Sequence, residues 1–177
     1  MKKTLINLFL IITAIIIYYL QSNLFMWFNI AGVKPNLFIV FALFIGLFAN
    51  RTMGIAYGVG IGALVDILIG KTVGIYSVSL GIIGLLAAIF DKNFSKESRM
   101  TIIFMVAGST IIFEIINYVL NYIILGVNVE WLNFINILII EVIYNIILTI
   151  ILYSLIQKFG YYIENEYKGN RILTRYF

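Results

Sequence analysis

Residues 53–70 read MGIAYGVGIGALVDILIG, and the architecture depends on what that stretch packs against. Gly54, Gly58 and Gly62 recur every four residues, and the next step of four lands on Asp66. At 3.6 residues per turn, a step of four advances about 400°, so the four positions form a slowly turning strip on one side of a helix. Small residues at that spacing let two helix backbones approach closely in a membrane, with a crossing near −40°. A carboxylate closing the strip is costly in lipid, because even the gentlest insertion scale charges about 2.5–3.5 kcal/mol for an ionised aspartate at a span's centre. Asp66 therefore belongs at the edge of a packing seam, near the interface beside the Gly70-Lys71 turn, and not toward lipid. Packing against another helix of this chain is the favoured reading. A homodimer would use the same strip.

The rest of the chain places that strip in a bilayer. Of its 177 residues, 63% are hydrophobic and 11% are charged. A soluble domain is about a quarter charged, and a water-facing surface cannot be built from so few ionic groups. Cysteine and histidine are absent. That removes disulfides, thiolate nucleophiles, His/Cys zinc sites and His-ligated haem, so no cofactor or metal is expected. The net charge of +4 does not imply a nucleic-acid partner, because its placement matters more than its sum. The apolar run after Met1-Lys2-Lys3 exceeds the roughly 7–15 residues of a signal peptide and is followed by no A-x-A site, so it reads as a retained anchor.

A spanning helix needs about 20 apolar residues. Segments 4–20, 36–49, 52–69, 73–90, 101–125 and 131–157 meet or approach that length. The expectation is an all-α integral membrane protein: a compact bundle of six spans, or of five plus a short or re-entrant segment at 36–49. It forms one transmembrane domain over 1–177, ending in a short basic and aromatic tail at 158–177. With the amino terminus inside, ten of the twelve Lys and Arg fall on the side of the termini, and Lys34 and Lys71 on the other. Such a bias predicts that both termini are cytoplasmic. The tail's cations are each worth about 1 kcal/mol against anionic lipid, which makes the bilayer itself a partner.

Further polar residues interrupt the later spans. Glu114, Asn117 and Asn121 share a face of the fifth, at i, i+3 and i+7, while Glu141 and Asn145 share a face of the last, at i and i+4. Two such faces suggest interhelical hydrogen bonds with protonated glutamates. The alternative is a polar lining for a small ligand. Intramembrane hydrogen bonds average about 0.6 kcal/mol, so their value lies in specificity more than strength. The chain has no histidine to activate a serine and no Gly-rich Lys-Ser/Thr loop to hold phosphate, so the reading is against an enzyme.

From Lys34 to Gly84 the order of these features resembles the MreD family of bacterial rod-shape determinants. Lys34-Pro35-Asn36-Leu37 is like the family's Pro-Asp-Leu at the start of the second span. Gly54, Gly58 and Gly62 lead into Leu64-Val65-Asp66-Ile67-Leu68, like its Gly-x-x-x-Asp-Leu-Leu signature. Gly70, Gly74-Ile75-Tyr76 and Gly84 follow, like its Gly-Leu-x-x-Leu run with a later glycine. Asn36 stands where many members carry aspartate, so no charged role is carried over to it. Glu114 and Glu141 match no family motif.

The resemblance implies a non-enzymatic subunit of the elongation machinery in the bacterial cytoplasmic membrane. Such proteins associate with MreC, and through it with the MreB filament, the RodA glycosyltransferase and a penicillin-binding transpeptidase, supporting lateral peptidoglycan synthesis and cell shape. Pro35, Asn36, Gly54, Gly58, Gly62, Asp66, Gly70 and Gly74 then become candidates for helix packing or for meeting a partner helix. The runner-up is a vitamin-binding subunit of an energy-coupling-factor importer, since those six-helix proteins resemble the MreD fold in outline. There the Glu114/Asn117 and Glu141/Asn145 faces would line a pocket, with residues 21–35 as its lid.

Overall fold

The computed structural model describes residues 2–68, 72–126 and 130–168. They form six helices: α1 (Lys2–Ser22), α2 (Leu37–Phe48), α3 (Arg51–Leu68), α4 (Ile75–Asn93), α5 (Arg99–Leu125) and α6 (Trp131–Lys168). A single 3-10 turn, Leu24–Met26, follows α1. Five of the helices are long and apolar enough to cross a membrane. The chain is a multi-pass, all-α membrane protein.

The exception is α2, and it is the hub of the bundle. A twelve-residue helix rises about 18 Å, well short of the ~30 Å hydrocarbon core. Its sequence, LFIVFALFIGLF, has no polar face, and a helix apolar all round is one enclosed on every side. Eleven of its twelve residues are buried, and it packs against all five other helices. The short 36–49 segment thus forms the centre of the protein, where its neighbours cover what lipid would otherwise have to cover.

Local chemistry sets the helix ends. Asn50 starts α3 immediately after α2, its Oδ1 accepting from the Met53 N–H at 2.8 Å. The Ser98 hydroxyl accepts from the Thr101 N–H at the start of α5, and Gly126, at φ +64°, closes that helix in the left-handed region. At the other extreme of the chain, α6 continues through the stretch expected as a tail as far as Lys168, the last described residue. Packing explains the extension. Gly160 lies under the Phe48 ring, Ile163 is buried, and Glu166 pairs with Lys2 at 3.3 Å. The starts of α1 and α3 and the end of α6 therefore share one end of the bundle, called the terminal end below.

Candidate functional site

The glycine strip is buried against α4. A Cβ placed on Gly54 would come within 2.7 Å of both the Gly46 Cα and the Gly84 carbonyl oxygen. One on Gly58 would meet the Leu80 carbonyl, and one on Gly62 the Ser77 backbone. Gly46, Gly54 and Gly84 bring α2, α3 and α4 to backbone contact at a single point. An expectation that a partner helix would lie in this ridge does not fit the geometry, because α4 already fills it. Gly60, on the opposite side of α3, has nothing within 4 Å of its would-be Cβ.

Asp66 completes the ridge by capping a neighbouring helix. Its carboxylate accepts from the N–H groups of Gly74 (2.9 Å), Tyr76 (3.0 Å) and Ser77 (3.0 Å). Gly74 is the N-cap position of α4, at φ +117°, a conformation reserved in practice for glycine, which also brings no side chain of its own to cap the helix. Asp66 supplies the missing acceptor from α3, to the N–H groups that an N-cap side chain normally satisfies. Negative charge at a helix N-terminus is also favoured by the helix dipole. The side chain is 1% exposed, so these three charge-assisted bonds are what offset its removal from solvent. The Ser77 hydroxyl adds a second tie, donating to the Val59 carbonyl at 3.0 Å. Gly70 lies outside the described residues.

The start of α2 is capped in the same manner by distant residues. The Asn36 N–H donates to Asn145 Oδ1 at 2.8 Å, and the Leu37 N–H donates to Gln21 Oε1 at 3.1 Å. Gln21 in turn donates to the Pro35 carbonyl at 2.9 Å. Asn145 reaches across to α5 as well, donating to the Thr110 hydroxyl at 3.0 Å. Asn145 and Thr110 are fully buried, so this group ties α1, α2, α5 and α6 together at one level. Asn36 itself does not cap α2 with its side chain.

One turn along α6 from Asn145, Glu141 lies near Glu114 of α5 and the Asn36 side chain. Glu141 Oε1 and Asn36 Oδ1 are buried and have no donor among the described residues. The two amides expected beside Glu114 do not reach across the bundle through their donors. Asn117 and Asn121 donate to the Phe113 and Asn117 carbonyls of their own helix, at 3.3 and 2.8 Å, because an amide four residues on lies over the preceding turn.

At the terminal end the carbonyl of Leu47, in the last turn of α2, accepts from the ammonium groups of both Lys96 and Lys168. Each lysine also pairs with Asp91, at 2.7 Å, and with Glu164. Cations favour a helix C-terminus, so α2 is capped at both ends by side chains from elsewhere in the chain, Lys96 coming from the α4–α5 connection. Sequence reasoning missed Gln21, Gly46, Lys96, Lys168, Asp91 and Glu164. A small-residue row on α4, Gly81, Gly84 and Ala88, was the available signal for the surface opposite the ridge.

Among the described residues, no group of three or more acidic, His or Cys side chains could hold a metal. The polar side chains gathered here satisfy helix ends and one another, which is chemistry of assembly. Compared with known proteins, residues 1–162 match the family model described as rod shape-determining protein MreD. No curated protein and no solved structure matches the chain.

Proposed function

The chain belongs to the MreD family of rod shape-determining membrane proteins, and from that premise we propose that it acts without catalysis, as a helix-mediated subunit that joins MreC in the cell-elongation complex. In this reading it sits in the bacterial cytoplasmic membrane with both termini cytoplasmic. MreB, RodA and a penicillin-binding transpeptidase are reached indirectly.

The observation that carries the proposal is where the close-approach ridge went. With Gly54, Gly58 and Gly62 covered by α4, the ridge builds the fold and leaves the outer helices to meet a partner. On α6, Ile135, Ile139, Ile143, Ile147, Ile151 and Leu155 recur every four residues, and each is at least 47% exposed. Residues four apart are neighbours on a helix surface and each step turns by about 40°, so these side chains make a continuous apolar row that winds around the outside of α6, where a partner helix can cross it.

Co-purification in mild detergent from the protein's own membranes tests this. The expected result is recovery of MreC with the wild-type chain and its loss when Ile143 and Ile147 are both replaced by alanine, with the chain's own elution profile unchanged. A chain that comes without MreC, and is instead thermally stabilised by a vitamin, would replace this reading with the importer-subunit one.

A further inference from the structure

On the side away from the terminal end, the helices do not finish at one level. Lys2 pairs with Glu166 and Phe9 stacks on Phe159 at 5.1 Å, so α1 and α6 run antiparallel in register, and α1 ends at Ser22 level with the turn around Asn145. The loop between α1 and α2 lies at that level too. There the Tyr144 hydroxyl donates to the Phe28 carbonyl at 2.7 Å, and Asn145 accepts from the Asn36 N–H. So does the start of α4, because Tyr76 packs its ring on Phe113 at 5.7 Å, one turn along α5 from the Thr110 that bonds Asn145. Among the described residues, only α5 and α6 continue beyond it. From Tyr144 back to Trp131, α6 rises about 20 Å further, and from Phe113 to Leu125, α5 rises about 18 Å.

The two levels make opposite demands on a flat bilayer. The projecting hairpin exposes large apolar side chains on both helices, among them Ile123, Leu132 and Ile139, so hydrocarbon has to reach it. The loop needs the reverse. Its backbone is irregular and exposed through Asn29, Ala31 and Gly32, and lipid-exposed irregular backbone does not occur within hydrocarbon, which leaves N–H and C=O groups without partners. Lys34 and Glu114, both half-buried, add ionisable groups near the same level, where full burial in lipid is costly. A surface level with Trp131 puts the loop about 20 Å down, and a surface level with the loop leaves the hairpin in water. We propose that the bilayer thins around α1–α4 on this side, its headgroup layer sloping from the tip of the α5–α6 hairpin down to the loop. Bilayers accommodate short hydrophobic segments by local thinning at modest cost. Trp27, 90% exposed on the loop, and Trp131, 69% exposed at the start of α6, then both sit at headgroup level, where tryptophan is enriched. This surface is a lipid one and is independent of the partner proposed above.

The chain has no cysteine and two tryptophans, so a single reporter can be placed at either level. The test uses the purified full chain, alone, in vesicles of phosphatidylethanolamine and phosphatidylglycerol. A membrane-impermeant maleimide present on both sides is expected to react with Asn29→Cys in the loop at least tenfold faster than with Ile139→Cys. Both positions are exposed, and Ile139 lies about 7.5 Å nearer the hairpin tip, so the residue deeper along the bundle is the wet one. Trp131→Phe leaves Trp27 as the only indole, and Trp27→Phe leaves Trp131. Each single tryptophan is expected to be quenched most by a phospholipid labelled near its headgroup. If Asn29→Cys stays unreactive and Trp27 is quenched best by a label deep in the acyl chain, the loop lies in the hydrocarbon of a flat bilayer and the proposal is overturned. It is overturned equally if Ile139→Cys reacts as fast as Asn29→Cys and aqueous iodide quenches Trp131, because the hairpin then stands in water.

Discussion

The α3–α4 hairpin and the α5–α6 hairpin solve the same problem by opposite means. In the first, glycines remove side chains from the interface, so that backbones touch and Asp66 of one helix caps the other. In the second, long helices with bulky side chains stay further apart and are joined by a buried polar contact, Asn145 to Thr110. Lipid is as apolar as a leucine-rich helix surface, so a membrane bundle has no hydrophobic force to draw its helices together. It must rely on close dispersion contact or on hydrogen bonds, and this chain uses one strategy for each hairpin. Contact of the first kind is intolerant of added atoms. Contact of the second kind is tolerant of shape and sensitive to loss of a donor or acceptor.

The sharpest way to break this contrast is to add atoms to the first hairpin. Gly58→Leu drives a side chain into the α4 backbone at Leu80, and its expected cost of more than about 4 kcal/mol is read as loss of a monodisperse peak in size-exclusion chromatography. The same α3 helix should accept bulk at Gly60, where an added Cβ meets nothing within 4 Å. Next in size is Asp66→Ala, which leaves three N–H groups at the start of α4 without their acceptor. Thermal unfolding in detergent should report a loss of about 2–4 kcal/mol, with Asp66→Asn falling between that variant and wild type.

In the second hairpin, Asn145→Ala strips the Asn36 N–H and the Thr110 hydroxyl of a partner at once. A loss of about 1–3 kcal/mol is expected in the same assay. Asn121→Ala should cost less than about 0.5 kcal/mol, since its half-buried amide bonds only its own helix. Equal effects of the two asparagine changes would erase the distinction between residues that join helices and residues that decorate them.

These differences also explain what the amino-acid order reveals. Gly54, Gly58, Gly62, Asp66 and Gly74 are recognisable together because a ridge has a fixed period and a cap has a short reach: Asp66 and Gly74 are eight residues apart. The hub is not recognisable in that way. The ends of α2 are satisfied by Gln21, Lys96, Asn145 and Lys168, which lie 16, 49, 109 and 121 residues from their acceptors or donors. Nothing in the period of α2 announces those partners, and its shortness reads as a weak span until the surrounding helices are in place. The extension of α6 was hidden for a related reason. Tyr161, Glu164 and Lys168 look like a polar tail until Phe48, Lys96 and Asp91 are seen to hold them.

The glycine ridge serves the chain's own fold, and two single-methyl changes in the purified chain examine that directly. With no other protein present, Gly58→Ala should lower the unfolding temperature, because the added carbon meets the Leu80 carbonyl and overpacking typically costs about 1–3 kcal/mol. Gly60→Ala, whose new methyl meets nothing, should leave that temperature unchanged or raise it, by the roughly 0.5–1 kcal/mol that alanine gains over glycine within a helix. If instead both variants melt like the wild type and Gly58→Ala alone loses its partner, the ridge faces another protein and the packing described above is wrong.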